Sequence, residues 1–257
     1  MSYLLAILAG FVQGLTEFLP VSSTGHLIIF ENIFHISQED FGLAFDASLH
    51  LGTLLAILTF FFKDYLKVLH FKNRLLIKLI IGTAPAAILG LLFEKSIEFQ
   101  ARQLWVLGLS LILFSPVMIL AEIYGKKIKK ETSVTILQSV FIGLFQSLAL
   151  IPGISRSGAT ISAGLFAGLK REEAAKFAFM LAGPIITAAG AKKFLDVLLK
   201  NNLASQDLNF FIIGIFSSAV FGYLTIKYFI RYLSSKTLYP FVFYRIIVGL
   251  ILLAAYI

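Results

Sequence analysis

One stretch of the sequence, IPGISRSGATI from Ile151 to Ile161, sets a permanent cation among hydroxyl groups and glycines inside otherwise apolar sequence. The cation is Arg156, and its polar neighbours are Ser155, Ser157 and Thr160. An arginine at the centre of a bilayer costs about 2.5–3.5 kcal/mol, so it is expected to face an anion or a water-filled cavity. A serine cap ahead of a helix leaves backbone N–H groups that favour an anion. The stretch predicts a phosphate site at a broken helix; the alternative is a polar loop in which Arg156 pairs with one buried carboxylate.

A second polar stretch, QGLTEFLPVSSTGH, begins at Gln13 and supplies complementary groups. Gln13 and Glu17 are four residues apart and share a helix face. Hydroxyl and imidazole groups follow a break at Pro20, namely Ser22, Ser23, Thr24 and His26. Phosphoryl transfer to water needs donors for phosphate oxygens, a hydroxyl or water nucleophile, and a proton acceptor. We expect Ser23 or a nearby water as the nucleophile, with His26 and Glu17 both candidates for the acid–base group.

Four further polar residues lie in apolar sequence. Asp46 and His50 are four residues apart on a predicted helix, and two roles are equally open: a structural pair with each other, or a function at the phosphate site. Arg245 is expected to form an ion pair or to meet a lipid headgroup. Gln146 is expected to act, with Gln13, as a structural amide bridging two halves of the molecule, the alternative for Gln13 being substrate binding.

Composition places the chain in a membrane. Of its 257 residues, 58% are hydrophobic and 14% are charged, with a mean hydropathy of +0.90, whereas soluble domains have about 45–50% apolar and 25% charged residues. The net charge of +8 comes from cations that flank apolar segments, which indicates contact with anionic lipid and no nucleic-acid partner. The absence of cysteine excludes disulfides and thiolate metal sites. No HExxH, GxSxG or Walker-type spacing occurs, so protease, esterase and P-loop classes are excluded.

The apolar segments predict an all-α polytopic protein with six spans of about 20 residues. These spans are Leu43–Phe62, Leu76–Phe93, Leu104–Glu122, Glu172–Ala191, Phe210–Lys227 and Tyr239–Ile257. Two other apolar regions, Tyr3–Phe30 and Val134–Leu169, are interrupted at Pro20–His26 and Pro152–Gly158. Non-helical backbone at membrane depth is tolerated only inside protein or beside water, so both regions predict re-entrant hairpins.

The two halves of the chain resemble each other. At an offset of 133 residues, Gly10, Gln13, Leu15, Ser22 and Gly25 match Gly143, Gln146, Leu148, Ser155 and Gly158. We therefore expect one integral membrane domain, residues 1–257, with internal repeats at about 1–125 and 131–257. Each repeat is a hairpin followed by three spans, and because three is odd the second repeat is inverted. Fifteen of the 22 lysines and arginines fall on one side and five on the other, which makes the richer side cytoplasmic.

The strings QGLTEFLPVSSTGH and PGISRSGATIS resemble the two signature motifs of the undecaprenyl-diphosphate phosphatase family, the bacitracin-resistance type. FDASLHLGTLLAI, from Phe45, resembles a third stretch of that family. The resemblance implies two inverted repeats with re-entrant hairpins in the bacterial cytoplasmic (inner) membrane, and a site open to the outer, periplasmic face. It also implies removal of the terminal phosphate of undecaprenyl diphosphate for cell-wall synthesis, assistance by a divalent cation such as Mg²⁺ or Ca²⁺, and a homodimer.

Matched to those motifs, the catalytic residues are expected to be Glu17, Ser23, His26 and Arg156. The substrate-binding residues are expected to be Gln13, Ser22, Thr24, Ser155, Ser157 and Thr160. Members with glutamate at the first position of the (Glu/Gln)-x-x-x-Glu element would have a second carboxylate. Here that position is Gln13, so Glu17, together with Asp46 as a further candidate, must supply the negative metal ligands. A transporter or flippase of an anionic prenyl lipid is the rival hypothesis, because inverted repeats with broken helices are also transporter architecture.

Overall fold

The computed structural model describes residues 3–36, 43–68, 74–100, 103–199 and 208–255, and the regular structure in these residues is helical, apart from one β-bridge between Lys129 and Leu169. Eleven α-helices occur in this part of the chain: α1 (Tyr3–Phe18), α2 (Ser23–Ile33), α3 (Leu43–Phe60), α4 (Phe62–Val68), α5 (Arg74–Gln100), α6 (Leu104–Tyr124), α7 (Ile136–Leu148), α8 (Arg156–Phe166), α9 (Arg171–Leu199), α10 (Leu208–Leu233) and α11 (Tyr239–Ala254). A 3₁₀ turn, Glu131–Ser133, precedes α7. The all-helical class predicted from the apolar segments is confirmed over the described residues.

Several helices are suited to a bilayer, and the chain is a multi-pass membrane protein. Leu75–Phe93, Leu104–Tyr124 and Leu208–Leu233 are long and apolar enough to cross a membrane, with mean hydropathies of 2.2, 2.3 and 1.7. Helices α3, α9 and α11 lie at the other three positions where the sequence predicts spans. The last two residues of the final predicted span, 256–257, lie outside the described residues.

Both apolar regions that contain polar clusters are broken helices. Helix α1 ends at Phe18 and α2 begins at Ser23, whereas α7 ends at Leu148 and α8 begins at Arg156. Helices α2 and α8 have 11 residues each, a rise of about 16 Å. That rise is well short of the roughly 30 Å hydrocarbon core, so neither α2 nor α8 can cross it alone.

The same serine cap begins both α2 and α8. Ser22 and Ser155 are the N-cap residues, and both have φ near 75°. Ser22 Oγ accepts a hydrogen bond from the Gly25 N–H at 3.4 Å, and Ser155 Oγ accepts one from the Gly158 N–H at 3.2 Å. A left-handed backbone at a non-glycine residue costs of order 1–3 kcal/mol and is concentrated at ligand sites. The two strained caps are therefore candidate positions for binding.

The first arms of the hairpins pack closely on long helices through glycine. Helix α1 lies against α10 and α7 lies against α5. A Cβ atom on Gly10 would lie 2.6 Å from the Gly214 carbonyl oxygen, and one on Gly143 would collide with the Gly82 carbonyl. Small residues allow backbones to approach this closely in a membrane protein. Each first arm is thus fixed in position by backbone contact with its long helix.

Helix α9 lies in the core of the molecule, in contact with α3, α5, α8 and α10. Between Ala174 and Ala182 its apolar residues are buried on all sides, as expected of a helix that is hydrophobic all round. Phe179 on α9 packs edge-to-face on Phe18 at the end of α1, with ring centroids 5.1 Å apart. This contact fixes the residue next to Glu17.

Candidate active site

The broken ends of the two hairpins lie against one another. Ser157 Oγ, in the first turn of α8, donates to the Leu19 carbonyl at 2.8 Å. Arg245 on α11 contacts both hairpins, since its Nη1 donates to the Pro20 carbonyl at 3.2 Å and its Nη2 to the Gly153 carbonyl at 3.0 Å. Two segments about 130 residues apart in sequence are thereby held at one place.

A cavity of about 190 Å³ opens at this junction. Its walls come from both hairpins and from α3, α5 and α9: Glu17, Ser22, Ser23, Thr24, His50, Ala86, Gln146, Ala149, Leu150, Pro152, Gly153, Ser155, Arg156 and Ile185. The N-terminal ends of α2 and α8 are both part of this wall. The first N–H groups of a helix have no acceptor within the helix, and the helix dipole is positive at that end. Two such ends beside Arg156 make the cavity suited to a phosphate or diphosphate.

Glu17 is at the centre of the polar contacts. Its side chain is only 4% exposed, and its Oε1 forms an ion pair with Arg156 Nη2. Its Oε2 accepts hydrogen bonds from Ser23 Oγ at 2.5 Å and from Gln13 Nε2 at 2.9 Å. A hydroxyl within hydrogen-bond reach of a base is the arrangement of an activated nucleophile. The ion pair joins the two hairpins, and it is the pairing with a buried carboxylate that the sequence left open as the alternative for Arg156.

The two histidines nearest the first hairpin occupy different environments. His50 on α3 lines the cavity, with its Nδ1 3.7 Å from Glu17 Oε2. His26 is not among the lining residues: its Nδ1 lies 2.8 Å from the Ser22 carbonyl, and its Nε2 lies 2.6 Å from Tyr244 Oη. The His26 and Tyr244 rings also stack, with centroids 5.6 Å apart. The sequence favoured His26 for acid–base chemistry, whereas His50 is the imidazole beside Glu17.

The residues predicted to bind substrate fall into two groups. Ser22, Thr24 and Ser155 line the cavity, and Gln13 joins the site through its contact with Glu17. Ser157 and Thr160 do not line the cavity. Ser157 fastens the hairpins together as described above, and Thr160 Oγ1 donates to the Arg156 carbonyl at 2.8 Å, within its own helix.

The described side chains do not fit a divalent cation held by the protein alone. Glu17 is the single carboxylate among the described residues of the cavity wall, and Asp46, in the first turn of α3, is not part of that wall. Within the described ranges, no group of three histidine, cysteine, aspartate or glutamate side chains could hold a metal ion. Mg²⁺ and Ca²⁺ take six or more oxygen ligands, and both oxygens of Glu17 already have protein partners.

Arg245 has different partners from those the sequence suggested. Its side chain is fully buried, at 0% exposure, so it cannot meet a lipid headgroup. It contacts two backbone carbonyls and the face of Phe114, whose ring centroid is 5.7 Å from Cζ. Arg245 forms no ion pair with any described residue, so the prediction of an ion pair or headgroup contact is wrong for this part of the chain. Backbone carbonyls carry no signal in the sequence, so these partners could not be predicted from residue types and spacing.

Gln146 also departs from its expected role. The sequence assigned it a bridging amide like that of Gln13. In the structure it lies in the cavity wall at 2% exposure, and among the described residues neither its Oε1 nor its Nε2 has a hydrogen-bond partner. The prediction of a bridging amide is wrong for Gln146, and its place in the wall instead brings it to the site.

Comparison with known proteins identifies the family of this chain. Residues 6–251 match the family model described as bacitracin resistance protein BacA. The chain is 41% identical to an undecaprenyl-diphosphatase of Rubrobacter xylanophilus over 254 residues, covering 93% of each chain. It is 41% identical to one of Thermodesulfovibrio yellowstonii, covering 98% of this chain and 96% of the relative, and 40% identical to one of Mycolicibacterium smegmatis, covering 99% and 96%. A match over nearly the whole length at this identity means that the chain belongs to the bacitracin resistance protein BacA family.

Proposed function

We propose that this protein is an undecaprenyl-diphosphate phosphatase, which converts undecaprenyl diphosphate to undecaprenyl phosphate and inorganic phosphate for cell-wall synthesis. The observation that carries the proposal is the contact of Ser23 with Glu17, beside Arg156, in a cavity where two helix N-termini converge. The relatives described above bear the name undecaprenyl-diphosphatase, which fits a nucleophile and a base next to an anion site.

The first half of the proposed reaction transfers the phosphoryl group to Ser23. Arg156 and the free N–H groups of α2 and α8 bind the terminal phosphate. Ser23 Oγ gives its proton to Glu17 Oε2 and attacks the terminal phosphorus. The bond from that phosphorus to the bridging oxygen breaks, and undecaprenyl phosphate leaves with the proton from Glu17. Arg156 stabilises the charge on the equatorial oxygens of the transition state, which is where phosphoryl transfer needs it.

The second half releases phosphate. Water gives a proton to Glu17 and attacks the phosphoserine; the phosphorus–Oγ bond breaks, and Glu17 returns the proton to Ser23. An acid quench of wild-type protein with substrate labelled in the terminal phosphate should therefore leave label on Ser23. Label that never becomes covalent, together with substantial turnover by Ser23→Ala, would instead make water the direct nucleophile.

We propose different roles for the two histidines. His50 supports proton transfer at Glu17, because its Nδ1 lies 3.7 Å from that carboxylate. His26 supports the first hairpin through the Ser22 carbonyl and Tyr244. His50→Asn should lower kcat and change its pH profile, whereas Tyr244→Phe should reproduce the effects of His26→Asn. A pH profile that changes with His26 and not with His50 would restore His26 to the reaction.

The divalent cation implied by the family resemblance, Mg²⁺ or Ca²⁺, is not used in these steps. With Glu17 as the one carboxylate among the described residues of the wall, the diphosphate oxygens would have to supply most of its ligands. Titration of turnover with a chelator, followed by addition of each ion separately, measures the dependence and identifies the ion.

We propose a topology of six spans and two re-entrant hairpins in two inverted repeats, in the bacterial inner membrane, with the cavity open to the outer face. The matching serine caps at Ser22 and Ser155, and the short length of α2 and α8, support it. The chain has no cysteine, so single cysteines report sidedness directly. Gln103→Cys should react with an impermeant reagent in intact cells, and Lys126→Cys only after permeabilisation; the opposite result would invert the topology. We also propose a homodimer, which cross-linking in membranes tests.

A transporter or flippase of an anionic prenyl phosphate lipid is the second candidate, because two broken helices that meet at one cavity are also typical of transporters. Purified protein given undecaprenyl diphosphate separates the two. Release of inorganic phosphate, lost in Ser23→Ala, supports the phosphatase. Movement of the lipid across liposomes by wild type, with no phosphate released, would support transport instead.

A further inference from the structure

Gln146 is a buried polar side chain in the wall of the cavity. It lies on α7, 2% exposed, and among the described residues neither its Oε1 nor its Nε2 has a hydrogen-bond partner. An amide buried without hydrogen bonds is unfavourable, and large majorities of buried polar atoms in native proteins have a partner. A side chain of this kind that faces a cavity is accounted for when a ligand completes its hydrogen bonds.

Gln13, at the matching position 133 residues earlier, shows that an amide at this position can form hydrogen bonds within the protein. Gln13 Nε2 lies 2.9 Å from Glu17 Oε2 and 3.0 Å from His50 Nδ1. Arg156, another polar residue of the wall that Gln146 lines, is a donor already bound to Glu17. Gln13 therefore contacts protein groups through its Nε2, with only its Oε1 unpartnered among the described residues, whereas Gln146 lines the cavity with neither amide atom bonded.

We propose that Gln146 binds the terminal phosphate group, an inference that rests on the proposed phosphatase function. The amide carries a donor and an acceptor side by side. A monoprotonated phosphate offers the complementary pair, an oxygen anion that accepts from Nε2 and an O–H that donates to Oε1. The same chemistry is present on the terminal phosphate of the substrate and on the free phosphate product, so Gln146 binds both.

Loss of the Gln146 amide should not destabilise the ligand-free protein. Replacing a buried polar group that has no partner by an apolar group of similar shape is neutral or stabilising, because no hydrogen bond is lost and a desolvation penalty is removed. Gln146→Met should therefore keep or raise the melting temperature of the ligand-free protein. A bridging amide in the same place would show the reverse, a lower melting temperature.

The test uses purified full-length protein and inorganic phosphate as the probe. Gln146→Met should raise the inhibition constant of phosphate and the KM for undecaprenyl diphosphate about tenfold or more, each tenfold step corresponding to about 1.4 kcal/mol. Gln146→Asn, which retracts the amide by one methylene group, should show the same losses if the methionine variant is poorly produced. Gln103→Met, an exposed glutamine at the start of α6, is the matched control and should leave both constants unchanged.

The outcomes separate this inference from the proposed function. Wild type that hydrolyses the substrate, with phosphate inhibition unchanged in Gln146→Met and Gln146→Asn, overturns the role of Gln146 and leaves the phosphatase intact. Wild type that releases no phosphate overturns the phosphatase, while weaker binding of inorganic phosphate by the variants in calorimetric titration would still identify Gln146 as part of an anion site. A higher KM with an unchanged phosphate constant contradicts binding to the terminal phosphate.

Discussion

Substitution of Glu17 by glutamine should strengthen anion binding while it removes catalysis. In the absence of substrate, Arg156 is paired with the Glu17 carboxylate, so a diphosphate that reaches Arg156 competes with that carboxylate. The negative charges of the Glu17 carboxylate and of a phosphate bound at Arg156, taken as about 5 Å apart, repel each other by roughly 3 kcal/mol at an effective dielectric constant of about 20. A glutamine amide at position 17 can still accept a hydrogen bond from Arg156, so part of the competition with the diphosphate remains. We expect a net gain of about 1.4–2.7 kcal/mol, a tenfold to hundredfold lower Kd.

The same substitution should lower kcat by about 10²–10⁴-fold, because a positioned acid–base group contributes that much. Calorimetric titration with methylenediphosphonate, which cannot be hydrolysed at the bridge, measures Kd, and phosphate release measures kcat. Glu172→Gln, in the first turn of α9 outside the cavity wall, is the control for loss of a negative charge and should change neither value.

Weaker binding of methylenediphosphonate by Glu17→Gln would refute this reasoning. It would mean that the carboxylate attracts the ligand instead of competing with it, as a carboxylate does when a divalent cation bridges it to phosphate. Repeating the titration with chelator and with added Mg²⁺ distinguishes the two cases. Competition predicts the tighter binding under both conditions, whereas bridging predicts the loss only with the ion present.

Three further substitutions test the site and its supports. Arg156→Ala should lower kcat/KM, with a loss of about 3 kcal/mol or more in transition-state stabilisation. Arg156→Lys should not restore kcat/KM, because an ammonium group lacks the bidentate fork of a guanidinium. Near-normal turnover in either variant contradicts the assignment of Arg156 to the phosphate site. Arg245→Lys should lower kcat while leaving the melting temperature nearly unchanged, because the cation remains but no longer reaches both the Pro20 and the Gly153 carbonyls. Kinetics equal to those of the wild type would show that the hairpins stay aligned without the guanidinium. Gly143→Val should lower the melting temperature sharply, or prevent folding, because its side chain would collide with the Gly82 carbonyl; thermal unfolding in detergent measures this, and an unchanged transition would mean that α5 and α7 are not fixed in contact.

The sequence predicted the parts of this fold that local chemistry determines. Proline, serine and glycine at Pro20–Gly25 and Pro152–Gly158 indicated breaks in otherwise apolar helices, and both breaks are present. Arg156 was expected to face an anion because a charge in apolar sequence needs a partner of opposite sign, and in the ligand-free structure that partner is Glu17. These predictions could be made because burying an unpaired charge, or leaving backbone N–H and C=O groups without hydrogen bonds, costs free energy whatever the tertiary packing around it.

The remaining parts depend on tertiary packing. Spacing alone cannot tell whether the His26 or the His50 ring enters the cavity, because each lies on a helix, α2 or α3, whose rotation about its axis is set by packing against its neighbours. The carbonyls that accept from Arg245 become acceptors only when the two hairpins approach each other. Gln146 matched Gln13 in sequence, but the match in position did not extend to its hydrogen bonds.

The glycine contacts of α1 with α10 and of α7 with α5 also limit how the molecule can move. In both pairs, carbonyl groups of one helix lie against glycine α-carbons of the other, with no side chains between them. Sliding of one helix along its partner would therefore bring backbone atoms into collision. Each first arm must then travel as a rigid unit with its long helix. Alternating exposure of the cavity would require these two helix pairs to rock past each other. Hydrolysis followed by departure of a small inorganic ion needs no displacement of that size.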